Sequence, residues 1–216
     1  MIFENRTDAA ELLSSKLNNF KKIKNLLIIA IPRGGVVLGK IISNRLKAPL
    51  DIIVVKKISA PSNPELAIGA VGPENVTYWD KNLLKEIGAS KNKSFDRLRT
   101  KIKYQKEKER SSLENTLRGE RPSYDIKEKT VILVDDGVAT GATVRVALNY
   151  LKKKNAKKII LAVPVISEAT FNEIKSYFDK IVVLDVEKKF YAVGQFYKEF
   201  YQVENEEVIN ILKSAL

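Results

Sequence analysis

The stretch Val131-Ile132-Leu133-Val134-Asp135-Asp136-Gly137-Val138-Ala139-Thr140-Gly141-Ala142-Thr143 constrains this chain more than any other. Four consecutive apolar residues suit a strand buried on both faces of a parallel sheet. Two carboxylates follow at the strand's carboxyl end, where open α/β sheets place their ligands. A loop of small residues with two glycines and two hydroxyls comes next. Glycine allows a sharp turn and a close backbone approach to a ligand. From about Thr143 the spacing becomes helical, with Val144, Ala147, Leu148 and Leu151 on one face. The loop therefore ends at a helix N-terminus, where free N–H groups and the positive end of the helix dipole form a phosphate cradle.

Two acids beside a phosphate repel it unless they face something else. The natural partner is a sugar diol, whose two hydroxyls donate to two carboxylates; a divalent cation also suits the place. A phosphate loop joined to an acid pair holding a diol describes a binder of ribose 5-phosphate.

A second strand–loop–helix unit lies near the start. Leu26 to Ile31 reads as a buried strand, Pro32-Arg33-Gly34-Gly35 breaks it, and Val36 to Leu46 reads as a helix. Arg33 leaves the strand's carboxyl end, a place suited to a pyrophosphate oxygen, although an Arg in an ordinary turn has the same appearance. Gly34 to Lys40 nearly matches a nucleotide-triphosphate P-loop. However, Ile41 stands where a Ser or Thr should bind magnesium, and Gly39-Lys40 falls inside the helical run. Strands over Asp51–Ile58, Lys158–Val165 and Ile181–Val186, with a helix over Glu168–Phe178, complete an alternation that predicts a parallel, helix-covered sheet. Before them, Thr7 to Phe20 predicts a helix capped by Asp8 and packed through Leu12, Leu13, Leu17 and Phe20. Ser59 to Pro64 is a turn-rich loop, and Leu66–Val71 with Val76–Trp79 predicts a hairpin around Gly72-Pro73-Glu74-Asn75. Trp79 is assigned to packing. Glu204 to Leu216 predicts a short amphipathic helix.

The chain of 216 residues fits one α/β domain with an appendage. It has no cysteine and no histidine. That excludes disulfides, thiol nucleophiles, thiolate or imidazole metal sites and Ser-His-Asp catalysis. Carboxylates, Lys, Arg, Tyr, hydroxyls and backbone remain. The N-terminus is polar from the start and no apolar run reaches membrane-spanning length, so a cytoplasmic protein is expected. A net charge of +12 fits an anionic ligand, a nucleic acid or a lysine-rich background.

The motif resembles the phosphoribosyl-pyrophosphate (PRPP) binding motif of type I phosphoribosyltransferases: an apolar strand, two acids, then a small-residue loop ending Thr140-Gly141-Ala142-Thr143. The chain as a whole resembles a branch with a Pro32-Arg33-Gly34-Gly35 loop and an Asn63-Pro64-Glu65-Leu66-Ala67-Ile68-Gly69-Ala70 segment. Gly137 departs from the pattern, because many members carry a larger apolar residue there. The resemblance implies transfer of a 5-phosphoribosyl group from PRPP to a nitrogen acceptor, a planar base. It further implies pyrophosphate release, magnesium held by Asp135 and Asp136 through water and ligand, and a homodimer. Ala139 to Thr143 would hold the 5-phosphate and Asp135 and Asp136 the ribose. Arg33, Gly34 and Gly35 would receive the pyrophosphate. Lys56 or Lys57, at the base of a closing loop, would meet its developing charge.

Two segments carry less specific signals. Residues 80–121 hold 13 basic and seven acidic residues, half of the net charge, with sparse apolar positions at Phe95, Leu98, Ile102, Leu113 and Leu117. They predict an inserted helical arm: a lid hinge, a dimer contact, a nucleic-acid face or a solvated helix with i,i+4 pairs. Only Tyr104 interleaves aromatically, so stacking on single strands has little support. Residues 187–203 resemble the variable hood of such enzymes. Phe190, Tyr191 and Val193 are assigned there to the acceptor pocket, against a simple role for the rings in sealing the sheet's edge. A different class of reading remains: a PRPP- or nucleotide-sensing regulator that binds nucleic acid through the basic arm.

Overall fold

The computed structural model describes residues 1–60, 63–88 and 93–215, without the side chains of 63–65 and 93–97. The chain runs through α1 (Arg6–Lys16), β1 (Leu26–Ala30), α2 (Gly34–Leu46), β2 (Leu50–Ile52), β3 (Lys56–Ala60), β4 (Asn63–Val71) and β5 (Thr77–Trp79). It continues through α3 (Lys81–Glu86), α4 (Lys93–Arg118), β6 (Thr130–Val134), α5 (Ala142–Lys153), β7 (Lys158–Ser167), α6 (Glu168–Ile174), β8 (Lys180–Glu187) and α7 (Asn205–Lys213). Five strands form a parallel sheet in the order β2-β1-β6-β7-β8. No helix among the described residues is long and apolar enough to cross a membrane.

Alternation on the central strands divides the core into two. Leu26, Ile28 and Ala30 of β1, with Ile132 and Val134 of β6, pack under α1, α2 and α7. Leu27, Ile29, Val131 and Leu133 face the other way, beneath α5 and α6. Every residue of β1 and β6 is buried, which is why both read as continuous apolar runs. Each such side chain contributes about 1.5–3 kcal/mol. Gly39 sits mid-way along α2, where a Cβ would lie 2.9 Å from Leu50 Cδ1 and 3.0 Å from Ala30 Cβ. That glycine lets the helix lie close to the sheet, and the P-loop likeness has no structural counterpart.

The order in which strands are added reverses between β1 and β6, whose register pairs Ala30 with Val134. The loops after these two strands therefore leave side by side. This is the switch point at which open α/β sheets bind ligands.

Several sequence expectations need correction. The cap of α1 is Asn5, whose Oδ1 accepts from the Thr7 and Asp8 amides. Asp8 is helical and accepts instead from the Glu4 amide. Of the expected apolar face, Leu13 and Leu17 are buried, while Leu12 is exposed and Ala9 and Ala10 take its share.

The strand expected over Asp51–Ile58 is two strands in two sheets. β2 ends at Ile52, opposite Ala30 at the end of β1. Its outer edge is claimed by side chains: Arg121 Nη2 donates to the Leu50 carbonyl and Arg118 Nη2 to the Ile52 carbonyl. The buried Asp51 accepts from Arg118 Nη1 at 2.7 Å and from the Tyr124 amide at 2.8 Å. After residues 53–55, Lys56 opens the antiparallel sheet β3-β4-β5. The Ser59–Pro64 loop is mostly hairpin, with Ala60 paired to Asn63; Pro61 and Ser62 lie outside the described residues. The β4–β5 hairpin forms as expected, pairing Gly69 with Trp79. Trp79 packs with the hairpin's small core, its ring 4.4 Å from the Arg99 guanidinium.

The arm lies against the body along its later half. Ile102 packs on the hairpin core, Leu113 and Leu117 on the main core, and Leu98 is exposed. The Phe95 side chain and Leu216 lie outside the described residues. Part of the arm's charge is paired: Lys106 with Glu109, Arg110 with Glu107 and Glu114, and Arg118 with Asp51.

Candidate active site

The two loops at the switch point line one cavity of about 500 Å³. Its walls include Arg33, Gly34, Lys57, Asp135, Asp136, Gly137, Ala139, Thr140, Gly141 and Thr143. The volume suits a small-molecule site.

The motif loop is built as an anion cradle. Gly141 adopts φ +74°, a left-handed conformation that favours glycine, and serves as the cap residue of α5. The Ala139 carbonyl is turned back into the protein, where it accepts from Ser167 Oγ (3.0 Å) and Thr170 Oγ1 (2.5 Å). The backbone N–H groups of Ala139 through Thr143 donate to no acceptor among the described residues. Five consecutive free amides at the start of a 12-residue helix can receive a phosphate.

Across the cavity, α2 begins at Gly34, with Arg33 as its cap residue and a cis peptide between Pro32 and Arg33. The amides of Arg33, Gly34 and Gly35 likewise have no protein acceptor among the described residues. Arg33 reaches Glu204 at 3.7 Å, a loose, partly exposed pair that contributes little and can yield to an anion. A Cβ on Gly34 would fall 1.8 Å from Asp136 Oδ2, so the α2 N-terminus sits directly against the second acid.

The two acids differ in surroundings. Asp135 Oδ1 accepts from the Asp136 amide at 2.9 Å. Burial, reinforced by the neighbouring Asp136 charge, holds the Asp135 carboxyl well above the usual carboxylate range; Lys57 opposes this. Asp136 is paired: Arg6 Nε donates to its Oδ2 at 2.8 Å. Its backbone carbonyl accepts from the Tyr197 hydroxyl at 2.6 Å. Burial, with the adjacent Asp136 charge, pushes the Tyr197 phenol far up, keeping it a donor.

Not all of the expected residues meet. Lys57 lines the cavity and Lys56 does not, because adjacent residues of β3 point to opposite faces. Gly35 and Ala142 lie behind the surface, at the first turns of α2 and α5, and would take part through their amides alone. Of the hood residues, Val193 is on the cavity wall. Phe190 packs on Phe196 at 4.9 Å, and Tyr191 is 86% exposed. The wall is continued instead by Phe200, Tyr201, Gln202 and Val203. Gly137 gives Val193 its place: a Cβ there would meet Val193 Cγ1 at 2.6 Å.

Sequence reasoning missed Arg6, which is only 5% exposed and lines the cavity. An arginine just ahead of the expected helix carries no signal of its own. Its role depends on where the C-terminal segment returns.

The donor set bears directly on magnesium. No cluster of three or more acids capable of holding a metal occurs among the described residues, and one of the two cavity acids already faces a guanidinium. Such a donor set fits a cation held mainly by ligand oxygens and water, with Asp135 and Asp136 as outer partners.

A parallel sheet flanked by helices, with an acid pair and two loops of free amides meeting at one switch point, is the architecture of the phosphoribosyltransferase kind. The phosphoribosyl transferase domain model matches residues 2–198, and the chain belongs to that family. Two proteins from strains of Mycobacterium tuberculosis, each named "Putative phosphoribosyl transferase", are 32% identical to it over 216 residues. The match covers 99% of this chain and 47% of theirs, so the chain spans about half the length of these curated relatives. The crystal structure of the TT1426 protein from Thermus thermophilus is 32% identical with a TM-score of 0.79, covering 98% of each chain. A hypothetical protein from Neisseria gonorrhoeae, solved with bound ppGpp, shares the fold at 12% identity and a TM-score of 0.53, covering 99% of this chain and 98% of its own.

Proposed function

We propose that this chain transfers the 5-phosphoribosyl group of PRPP to a ring nitrogen of a nucleobase, releasing pyrophosphate. The observation that carries this reading is the pairing of two sets of free amides, Ala139–Thr143 and Arg33–Gly35, on opposite sides of Asp135 and Asp136. One set suits the 5-phosphate, the other the pyrophosphate, and the acids between them suit the ribose hydroxyls. In the reaction the C1–O bond to pyrophosphate breaks as the N–C1 bond forms, and the nitrogen's proton leaves to a neighbouring oxygen base. Positive charge that develops on the ribose lies beside the two carboxylates. Negative charge on the leaving group meets Arg33, Lys57 and the first amides of α2. Catalysis is thus positioning plus charge stabilisation, which needs neither cysteine nor histidine. Magnesium bound with the substrate would add charge neutralisation at the pyrophosphate. In this reading the β3–β4 hairpin, which carries Lys57, would exclude water from the cavity.

Homodimerisation and a cytoplasmic setting complete this reading. The regulator reading rests on the basic arm alone, where Lys106 and Arg110 are paired within the arm and Arg118 is paired with Asp51 of the body. The test is pyrophosphate release from PRPP with magnesium across a panel of purine and pyrimidine bases. Turnover with at least one base is expected. No release with any base, together with nucleic-acid binding that weakens steeply with salt, would replace this reading with the regulator.

A further inference from the structure

Arg6 joins three segments that are far apart in the chain. Its Nε donates to Asp136 Oδ2 at 2.8 Å, its Nη1 donates to the Tyr201 carbonyl at 2.8 Å, and its guanidinium carbon lies 3.8 Å from the centre of the Phe200 ring. The same Nε would be 2.8 Å from a Cβ on Gly34, so the group sits where the acid pair, the α2 N-terminus and the hood converge.

The hood is held unevenly. Its first part is stitched to the N-terminal segment by backbone bonds: Phe3 N–H to Phe196, Lys198 N–H to Phe3 and Glu199 N–H to Glu4. Beyond Glu199 that stitching stops. Among the described residues, the backbone of Phe200–Val203 makes one hydrogen bond, the one from Arg6 to Tyr201. This length forms the cavity wall opposite the motif loop. Phe200 is stacked on Tyr197 and Val203 is buried in the main core, so the stretch between them, Tyr201–Gln202, has the Arg6 guanidinium as its one backbone hydrogen-bond partner among the described residues, and the other end of that guanidinium holds Asp136.

We propose that Arg6 is a positioning residue that couples ribose occupancy at Asp136 to ordering of the hood wall Phe200–Val203, so that the acceptor side of the cavity is completed after PRPP is in place. This rests on the phosphoribosyl-transfer reading. A planar fork is required, because one group must serve a carboxylate and a carbonyl at once while stacked on a ring; an ammonium offers a point charge on a flexible stem. By linkage, an acceptor that orders the wall raises PRPP affinity by the same factor.

The experiment is amide hydrogen exchange of residues 200–203, with and without magnesium and PRPP, in the wild-type chain, Arg6→Gln and Arg6→Lys, alongside PRPP affinity. In the wild type, PRPP is expected to slow exchange there at least about fivefold, the low end of ordinary coupling. Arg6→Lys keeps a cation beside Asp136, so PRPP affinity should stay within about threefold while the hood response disappears. Arg6→Gln should lose both. A full hood response in either variant overturns the coupling and leaves the transfer reading standing. Absence of PRPP binding by the wild type overturns both together.

Discussion

At the scale of single residues, the adjacent acids are set apart by their neighbours. Asp136 faces a guanidinium, whereas Asp135 is half-buried beside it without one. Asp136→Asn should lower kcat/KM for PRPP by about 10²–10³-fold, the loss typical of one preorganised electrostatic partner. The chain should stay folded, because the amide oxygen still accepts from Arg6; circular dichroism with steady-state kinetics checks both halves. Asp135 predicts a pH signature. Its folded pKa lies above the unfolded value, so folding favours the protonated form. Stability contributed by that proton is present below about pH 4 and is lost as pH rises through the folded value. In ligand-free protein, Asp135→Asn should match wild type in melting temperature near pH 4 and exceed it increasingly toward neutrality. Activity should be lost at every pH. A constant gap in melting temperature would contradict the assignment. The lysine pair separates in the same way. Lys57→Ala should lower kcat by about 10²-fold, while Lys56→Ala, facing away from the cavity, should stay near wild type.

At the scale of elements, the hood and the motif loop are one packing unit. Phe3, Phe196 and Tyr197 are buried together, and the Tyr197 ring stacks on Phe200 at 5.0 Å. Phe190, Phe196 and Tyr197 therefore seal this edge, Phe200 and Tyr201 line the cavity, and Val193 alone of the three proposed acceptor residues reaches it. The Gly137–Val193 contact predicts paired behaviour. Gly137→Ala should force Val193 outward, costing about 1–3 kcal/mol and raising the KM for the acceptor. Adding Val193→Ala should recover much of the stability by vacating the same space. Thermal melts of the single and double variants measure that coupling, and strict additivity would show that the two residues do not share a site.

At the scale of the whole molecule, the arm is part of the body rather than an addition to it. Arg118 ends α4 with Asp51 at 2.7 Å, and both side chains are largely buried. With Arg121 it occupies the exposed edge of β2, the device by which sheets avoid pairing with other chains. Arg118→Ala leaves a buried carboxylate uncompensated and should cost about 3–5 kcal/mol. Chemical denaturation should show that loss, together with aggregation through the uncovered edge. The basic charge of α4 is consequently in part structural, which its composition alone did not distinguish from a binding face.

The legible parts of this protein were the local ones. Continuous apolar runs identified β1 and β6, because strands buried on both faces have no polar side to show. Gly141 and the acid pair identified the turn into α5 and the strand end beside it, because a left-handed turn before a helix and two carboxylates at a strand end are written within a dozen residues. The illegible parts all depended on distant segments meeting. Asp51 to Ile58 looked like one strand, although its two ends pair with different partners, β1 in one sheet and β4 in the other, and neither partner is adjacent to the whole run in sequence. The difference between Lys56 and Lys57 required knowing which face of β3 looks inward. Arg6 appeared as an ordinary residue ahead of a helix, since what gives it a task is the carboxylate of Asp136 and the carbonyl of Tyr201. Hydrogen bonds across such separations follow from packing, and packing is decided by the chain as a whole.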